Sequence, residues 1–273
     1  MTTARVWFIT GASRGLGRAF AEEALAAGDH VVAAARNIEP LEDLAGEHPD
    51  DLVRLPLDVS DRQAVFEGVE RAVAAFGRLD VVVNNADGLL YGMVEEATEE
   101  QIRAHLDVNF FGAVWVSQAV LPHLRAQGSG RILQVTSMGS GGGMASVGFY
   151  GAGKVALDSL SEALAMEVDR FGIKVTIVEM GGYATGLFTT GTTATEPLSH
   201  YEALRAEMAE MWGDDAGPDP STAAPVIMEL AALPDPPRRL IVGSRSYDQV
   251  QELNRARTGS YRAWEHLSRM APG

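Results

Sequence analysis

The chain has 273 residues, 46% of them hydrophobic, no cysteine, a formal net charge of −15 at pH 7 and a pI near 4.8. This length and apolar content favour one α/β domain over two. The acidic balance predicts a solvated surface and no nucleic-acid partner, because phosphate backbones require clustered Lys and Arg. The absence of cysteine excludes disulfides, thiolate metal ligands and Cys nucleophiles.

Short apolar runs rich in β-branched residues alternate with longer amphipathic stretches along the chain. This rhythm predicts βαβ units and a parallel sheet. The run Val81–Val83 is apolar on both sides, which is typical of strands covered by helices on two faces. The predicted strands are Val6–Thr10, His30–Ala35, Leu52–Leu57, Val81–Asn84, Arg131–Ser137, Lys174–Glu179 and Leu240–Val242.

The stretches between these strands predict the helical crossovers of a doubly wound sheet. We expect a single-domain Rossmann fold over residues 1–273, with seven parallel strands, helices on both faces, and the cofactor-binding and catalytic residues mainly within residues 1–180. The predicted helices are Gly15–Ala27, Leu41–Glu47, Arg62–Phe76, Glu99–Arg125 and Phe149–Phe171.

The alternation breaks after Glu179. Residues 181–195 are rich in Gly and Thr and follow a strand's carboxyl end, where doubly wound folds bind ligands. Helices are predicted over residues 196–212 and 222–233. We interpret residues 181–220 as a lid over the substrate, with an ordinary surface excursion as the alternative. Residues 244–273 predict a C-terminal helical extension, and we expect its residues Tyr261, Trp264 and Leu267 to pack on the domain.

A glycine-rich turn, Thr10–Gly17, follows the first predicted strand. Glycine permits a tight turn and lets backbone N–H groups and a helix N-terminus approach a pyrophosphate. The spacing is GxxxGxG rather than GxGxxG, and a glycine turn alone can be purely structural. Because a predicted strand precedes it and a predicted helix follows it, the turn favours a dinucleotide site.

The end of the second predicted strand indicates which dinucleotide is bound. NAD sites place an acid about 20 residues after the glycine turn to bind the ribose 2′-hydroxyl, whereas an Arg accommodates a 2′-phosphate. This strand ends at Ala35-Arg36 without a carboxylate, and Arg14 lies within the turn. A single Arg at a strand end is often only solvated, but two guanidiniums can clamp a phosphate. The sequence therefore predicts NADP(H).

Tyr150 and Lys154 are four residues apart and share one face of a predicted helix. A free tyrosine has a pKa near 10, too high for efficient proton transfer near pH 7. We expect the lysine ammonium to favour the phenolate and lower the pKa of Tyr150. A lone Tyr-x-x-x-Lys is usually a pair on a helix surface, but here Asn109 and Ser137 precede it.

The ordered set of motifs resembles the short-chain dehydrogenase/reductase superfamily over about residues 5–245. The motifs are the glycine turn, Leu57-Asp58-Val59, Asn84-Asn85-Ala86, Asn109, Ser137 and Tyr150-x-x-x-Lys154. The resemblance implies that Asn109, Ser137, Tyr150 and Lys154 are catalytic.

In that family Ser137 would bind the substrate oxygen, Asn109 would hold a water that links Lys154 to solvent, Lys154 would hold the nicotinamide ribose, and Asp58 would contact the adenine. The expected cofactor-binding residues are Gly11, Ser13, Arg14, Gly15, Leu16, Gly17, Arg36, Asp58, Val59, Asn84, Ala86, Tyr150, Lys154, Gly181 and Thr185.

Two positions depart from the family pattern. Asp87 stands where glycine usually follows Asn84-Asn85-Ala86, and it would repel acidic substrates, shift the loop or point outward. The turn that usually reads Pro-Gly is Met180-Gly181 here, with Thr185 at the expected spacing. The histidines show no ligand spacing, and the chemistry needs no metal.

The expected substrate is a bulky, apolar ketone or aldehyde, or the corresponding alcohol. Glycines follow Ser137 and leave room beside the reacting oxygen, while the predicted lid contributes apolar side chains. The alternative is that these side chains only pack the lid or a subunit contact. The expected substrate residues are Gly139, Met144, Tyr183, Leu187, Met208 and Trp212.

The sequence thus predicts an NADPH-dependent carbonyl reductase, reversible, with Tyr150 as proton donor. The alternatives are a non-catalytic NADP-binding sensor or scaffold, an alcohol or hydroxysteroid-type dehydrogenase working mainly in the oxidative direction, and a lyase or epimerase. By family analogy we expect a homodimer or homotetramer assembled through the helix that carries Tyr150. No signal sequence and no apolar run near the roughly 18 residues of a spanning helix are visible, so we expect a cytoplasmic protein without a membrane partner.

Overall fold

The computed structural model describes residues 4–141, 143–212 and 217–271. The strands are β1 Val6–Thr10, β2 His30–Ala35, β3 Leu52–Pro56, β4 Val81–Asn84, β5 Leu89–Tyr91, β6 Gly130–Ser137, β7 Ile173–Met180, β8 Thr192–Ala194 and β9 Arg239–Val242. The α-helices are α1 Gly15–Ala26, α2 Glu42–Glu47, α3 Arg62–Phe76, α4 Glu99–Leu106, α5 Gly112–Gln127, α6 Gly148–Val168, α7 Glu202–Trp212, α8 Ala224–Ala232, α9 Ser244–Ala263 and α10 Glu265–Ser268.

Seven of the strands form one parallel sheet in the order β3-β2-β1-β4-β6-β7-β9. The direction in which successive strands are added reverses between β1 and β4. At such a switch point the loops leave the two strands in opposite directions and open a crevice at their carboxyl ends. The predicted doubly wound sheet is therefore confirmed, and its topology locates the crevice.

Both faces of the sheet are buried, as β1 shows. Trp7 and Ile9 point into the hydrophobic core that includes residues of α1 and α8, whereas Phe8 points into the core that includes residues of α3, α5 and α6. Because side chains alternate along a strand, a strand covered on both faces reads as a continuous apolar run. The prediction of helices on both faces is confirmed.

One predicted helix is divided in the structure. The sequence predicts a single helix over Glu99–Arg125, but α4 and α5 are separated by a π-helical turn at Asp107–Phe111. The apolar periodicity continues through this turn, so the pattern does not show the interruption. The turn carries Asn109, which is buried.

A second, two-stranded parallel sheet was not predicted. It pairs β5 with β8, with Leu89 opposite Thr192 and Tyr91 opposite Ala194. Each strand has three residues, too few to show an alternating pattern. This small sheet ties the segment after β7 to the loop after β4.

The expectation that the C-terminal extension packs on the domain is wrong. On α9, Ser246 and Val250 are buried, but every residue from 252 to 271 is exposed, and Tyr261 and Trp264 are 68% and 59% accessible. The buried part of α9 ends near Val250, although Arg257 further along the helix lines the cleft at the carboxyl edge of the sheet. Among the described residues, no helix is long and apolar enough to cross a bilayer.

Candidate active site

A cleft of about 2390 Å³ lies at the carboxyl edge of the main sheet. Its walls come from the glycine turn after β1, the end of β2, the loop after β4, the end of β6, the start of α6, the segment after β7 and the base of α9. The cleft therefore opens at the switch point between β1 and β4 and extends across β6 and β7.

The glycine turn is shaped by close backbone approach. Gly11 has a φ of +67°, and a Cβ there would lie 2.8 Å from the Ala86 Cα. A Cβ on Gly17 would lie 2.4 Å from the Gly11 carbonyl oxygen. Any side chain at either position would displace backbone, so the turn requires glycine.

The residues present at this turn fit a dinucleotide pyrophosphate. The N-terminus of α1 faces the turn, and the side chain of its N-cap residue, Arg14, makes no capping hydrogen bond. Such N–H groups, together with the helix dipole, favour bound phosphate. Ser13, Gly15 and Leu16 line the cleft here, and Thr185 lies directly over Gly15, whose Cβ would be 3.1 Å from the Thr185 Cβ. Gly17 packs behind the turn rather than lining the cleft.

Asn85, and not Asn84, reaches the glycine turn. The Asn85 amide donates to the carbonyls of Thr10 at 3.0 Å and Gly11 at 3.3 Å, and the Thr10 hydroxyl accepts from the backbone N–H groups of Asn85 and Ala86 at 3.0 Å each. These bonds fasten the carboxyl ends of β1 and β4 together. Sequence reasoning missed Asn85, although it lies within the motif.

Asn84 does not line the cleft, contrary to the expectation. Its side chain is buried, and its amide donates to Gln134 at 2.9 Å and to Ser117 at 3.2 Å. Successive side chains of a strand point to opposite faces, so Asn84 at the end of β4 faces the core.

The end of β2 carries no carboxylate in the cleft. Ala35, Arg36 and Asn37 line it, together with Arg14 of the glycine turn. Arg36 is exposed, whereas the Arg14 guanidinium donates to the hydroxyl of Thr190. Both cations thus line the cleft, and Arg14 links the glycine turn to the segment after β7.

Asp58 and Val59 also line this end of the cleft. The Asp58 carboxylate accepts from the Ser60 backbone N–H at 2.9 Å and from the Ser60 hydroxyl at 2.7 Å. These bonds stabilise the turn after β3 and fix the position of the wall that Asp58 and Val59 form.

The four predicted catalytic residues are brought together, but only two of them line the cleft. Ser137 and Tyr150 do so, and the Ser137 hydroxyl is hydrogen-bonded to the Tyr150 phenol. Lys154 is buried behind them with its side chain 2% exposed, and its Nζ donates to the Val135 carbonyl at 3.1 Å. The ammonium lies 5.6 Å from the centroid of the Tyr150 ring.

Asn109 is held behind the cleft by the π-helical turn. Its Oδ1 accepts from the Gly88 N–H at 3.3 Å, and its Nδ2 donates to the His105 carbonyl at 2.9 Å. Asn109 therefore connects the loop after β4 to α4.

Burial and the nearby Lys154 lower the pKa of His105 to about 4, so that this imidazole is neutral at pH 7.

The expectation that Lys154 lowers the pKa of Tyr150 is not met. Desolvation of the phenol raises its pKa well above 10, the Asp87 carboxylate raises it further, and the hydrogen bond from Ser137 lowers it only in part. The Asp87 Oδ2 lies 3.5 Å from the Lys154 Nζ. The Lys154 ammonium, which we expected to act on Tyr150 alone, therefore also faces the Asp87 carboxylate. The family pattern has no carboxylate at this position.

The predicted substrate residues separate into three groups. Gly139, Met144, Tyr183 and Leu187 line the cleft, as do Gly181 and Thr185 of the cofactor set. Met208 on α7 is half-buried and does not line it. The side chain of Trp212 lies outside the described residues.

The base of α9 was missed as part of the site. Ser246 and Gln249 line the cleft from this helix, and a Cβ on Gly181 would lie 2.1 Å from the Ser246 hydroxyl oxygen. The sequence signal that could have found this contact is Gly243, which ends β9 next to the crevice and has a φ of +115°.

This combination of a crevice at a switch point, a glycine turn and a Ser–Tyr–Lys cluster defines a dinucleotide-binding α/β oxidoreductase. The family model for short chain dehydrogenase matches residues 5–196. The chain belongs to this family.

Similar proteins agree with this assignment. The chain is 38% identical to Oxidoreductase BOA17 of Botryotinia fuckeliana, with 97% of this chain and 98% of that protein covered. The crystal structure of a short-chain dehydrogenase from Streptomyces avermitilis superposes with a TM-score of 0.91 at 36% identity, covering 99% of this chain and 100% of that one.

A more distant structure carries a dinucleotide. An alcohol dehydrogenase from the archaeon Thermococcus sibiricus, complexed with 5-hydroxy-NADP, has a TM-score of 0.74 at 26% identity, with 88% of this chain and 96% of that chain covered. The protein is therefore an oxidoreductase with the fold that binds NAD or NADP in its structural neighbours.

Proposed function

We propose that the protein is an NADP(H)-dependent oxidoreductase that reversibly reduces a ketone or aldehyde to an alcohol, with Tyr150 as the proton donor. The observation that carries this proposal is the arrangement of Ser137 and Tyr150 on the cleft wall in front of a buried Lys154. The phenol is protonated at pH 7 because desolvation and a carboxylate raise its pKa, and a proton donor is what carbonyl reduction requires.

Each residue has a defined task in this proposal. The Ser137 hydroxyl, hydrogen-bonded to the phenol, fixes where a carbonyl oxygen binds and stabilises negative charge that develops on it. Tyr150 gives its proton to that oxygen as the new C–O–H group forms. A bound nicotinamide supplies the hydride for reduction, and accepts it in the reverse reaction.

The preference for NADP(H) rests on the end of β2. Arg36 lines the cleft where a carboxylate would be needed to bind a ribose 2′-hydroxyl, and Arg14 lines it from the glycine turn, with its guanidinium hydrogen-bonded to Thr190. The glycine turn would hold the pyrophosphate, Asp58 and Val59 would flank the adenine, and Ala86 and Thr185 would lie along the remainder of the dinucleotide.

The proposed substrate is bulky and mainly apolar. Met144, Tyr183 and Leu187 line the cleft beyond the glycine turn, together with the exposed Phe188. Aromatic and aliphatic side chains with few polar groups are typical of sites for apolar ligands.

The test is to follow NADPH and NADH consumption against a panel of aryl ketones, aliphatic aldehydes and keto acids. Tyr150→Phe should reduce kcat by at least about 10²–10⁴-fold, the contribution of general acid catalysis, and should leave the Kd for NADPH nearly unchanged. Tyr247→Phe, at an exposed position, is the matched control and should behave like the wild type.

Four results would contradict the proposal in different ways. Near-normal kcat in Tyr150→Phe would remove the proton donor from the mechanism. Higher kcat/KM with NADH would contradict the cofactor assignment, and a preference for keto acids would contradict the substrate class. NADPH binding without turnover of any substrate would favour a sensor or scaffold instead.

A further inference from the structure

Asp87 makes a contact that the general Ser–Tyr–Lys arrangement does not require. It lines the cleft in the loop after β4, with its side chain 28% exposed, and its Oδ2 lies 3.5 Å from the Nζ of Lys154. The Lys154 side chain is 2% exposed, and its other described polar contact is the Val135 carbonyl. A buried ammonium is stabilised by such a carboxylate partner.

Titratable side chains face Tyr150 from three elements. Lys154 lies on the same helix, His105 faces the phenol from α4 with ring centroids 6.3 Å apart, and Asp87 acts from the loop after β4. His105 is neutral at pH 7, because its pKa is about 4. Arg245 and Tyr183 line the same cleft from α9 and from the segment after β7.

The balance of these charges differs from that of a Tyr–Lys pair alone. A single ammonium next to a phenol would favour the phenolate. Here the carboxylate beside the ammonium leaves the pair with no net charge, so a phenolate would face both a cation and an anion. The Asp87 carboxylate therefore opposes the effect of the Lys154 ammonium, which on its own would favour ionisation of the phenol.

We propose that Asp87 is a positioning residue that holds the Lys154 ammonium and offsets its charge, so that Tyr150 keeps its proton up to a higher pH and remains the acid that carbonyl reduction needs. This inference rests on the proposed function. Reduction uses the neutral phenol as its acid, whereas oxidation needs the phenolate as the base that accepts the hydroxyl proton.

The pKa of Tyr150 is shifted in the direction that this proposal requires. Desolvation is its largest cause, and the Asp87 carboxylate is the second group that raises it. The sign follows from electrostatics, since a nearby negative charge disfavours the ionised phenol. Removing that charge should lower the pKa of Tyr150 and increase the phenolate population at any pH below the pKa.

The test compares the wild type with Asp87→Asn, which keeps the shape and removes the charge, and with Asp87→Gly, which restores the usual family residue. Tyrosinate formation is followed by ultraviolet absorbance during a pH titration, with the Tyr150→Phe signal subtracted in each background. The control is Asp50→Asn, at an exposed carboxylate far from the cleft in sequence.

The expected result is that the pH midpoint of the Tyr150 titration falls by about one unit or more in both Asp87 variants. This is the size of the effect of a single close charge. The alkaline limb of the pH profile of kcat/KM for carbonyl reduction, which falls as Tyr150 loses its proton, should move to lower pH by the same amount, while Asp50→Asn matches the wild type. Reduction at neutral pH should change much less, since the phenol remains protonated there in either case.

Two outcomes would overturn the proposal. One is superimposable titrations of the wild type and Asp87→Asn. The other is a shift in Asp87→Gly without one in Asp87→Asn, which would assign the effect to loop geometry rather than charge. If no substrate is turned over, the proposed function fails, but the titration still decides the role of Asp87, because it requires no turnover.

Discussion

The two sides of the cleft are held in place by different means. The nucleotide side, formed by residues 10–17, 35–37 and 85–86, depends on backbone: Gly11 and Gly17 approach Ala86 and the Gly11 carbonyl so closely that no Cβ fits. The substrate side, formed by residues 137–139, 143–151, 181–190 and 243–249, depends on side chains and is connected to the rest of the fold by a few polar contacts.

The segment that continues from the substrate side, residues 191–205, is held by Glu96, just after β5. Its side chain is fully buried, and its carboxylate accepts from the Met93 N–H at 2.7 Å, the Thr195 hydroxyl at 2.9 Å and the Leu198 N–H at 2.9 Å, and from the Arg205 guanidinium. One carboxylate thus fastens the segment between β8 and α7 to the segment after β5.

The two sides of the cleft should therefore respond differently to substitution. On the nucleotide side, adding one methyl group disturbs the turn itself, because backbone cannot move aside cheaply. On the substrate side, replacing a single charge should loosen a segment while leaving the sheet intact. The following predictions test this difference.

The largest effect is expected for Gly17→Ala. Its Cβ would lie 2.4 Å from the Gly11 carbonyl oxygen and 2.6 Å from the Asn85 amide nitrogen, so the turn must shift. We expect the free energy of unfolding to fall by about 1–3 kcal/mol, as for overpacked cores, with a large loss of NADPH affinity. Denaturant unfolding and NADPH titration measure both.

The matched control for this change is Gly46→Ala. Gly46 lies in α2 with nothing within 4 Å of its Cβ position, and it should be neutral or stabilising by up to about 1 kcal/mol because alanine favours helix. Equal stability of the two variants would show that the nucleotide side is not limited by backbone approach.

A smaller effect, confined to the substrate side, is expected for Glu96→Gln. The amide cannot accept from all four donors as the carboxylate does, so the segment between β8 and α7 should loosen. KM for the carbonyl substrate should rise severalfold, while the Kd for NADPH remains close to that of the wild type. Glu100→Gln, at an exposed position on α4, is the control.

The same contact predicts a dependence on pH. The Arg205 guanidinium is the largest of several partners that lower the pKa of Glu96 to about 2. A carboxylate whose pKa is lowered on folding stabilises the fold above its ordinary pKa, and this stabilisation is lost as the pH falls towards 2. In acid, Glu96→Gln should therefore lose less stability than the wild type, measured by thermal unfolding.

On the nucleotide side, the double change Ala35→Asp with Arg36→Ser should move the preference from NADPH towards NADH. A carboxylate would accept from the ribose 2′-hydroxyl, and the loss of one charge-assisted hydrogen bond of about 1.5–3 kcal/mol would reduce the preference for NADPH by about tenfold to a hundredfold. The ratio of kcat/KM for the two dinucleotides measures this. An unchanged ratio would assign the selectivity to another part of the cleft.

The smallest effect is expected for deletion of residues 252–273. The described residues of this segment are all exposed, so the free energy of unfolding of the monomer should stay within about 0.5 kcal/mol of the wild type. Denaturant unfolding at low protein concentration checks it. A loss of several kcal/mol would mean that the extension packs on the domain after all.

Much of the fold and part of the site follow from the sequence alone. The seven strands of the main sheet, the glycine turn and the Tyr150–Lys154 pair are encoded by local patterns, because apolar runs, glycine spacing and helical spacing need no knowledge of distant residues. The same patterns predict that Ser137 and Tyr150 lie near the glycine turn, since parallel strands share one carboxyl edge.

The other features of the fold and the site depend on tertiary structure. The π-helical turn that buries Asn109, the pairing of β5 with β8, and the choice of Asn85 over Asn84 at the cleft depend on which surface packs against each residue. The exposed C-terminal extension and the upward shift in the pKa of Tyr150 are further cases. Burial and the position of Asp87 beside Lys154 set that shift, because the free energy of a charge depends on its surroundings in space and not on its spacing along the chain.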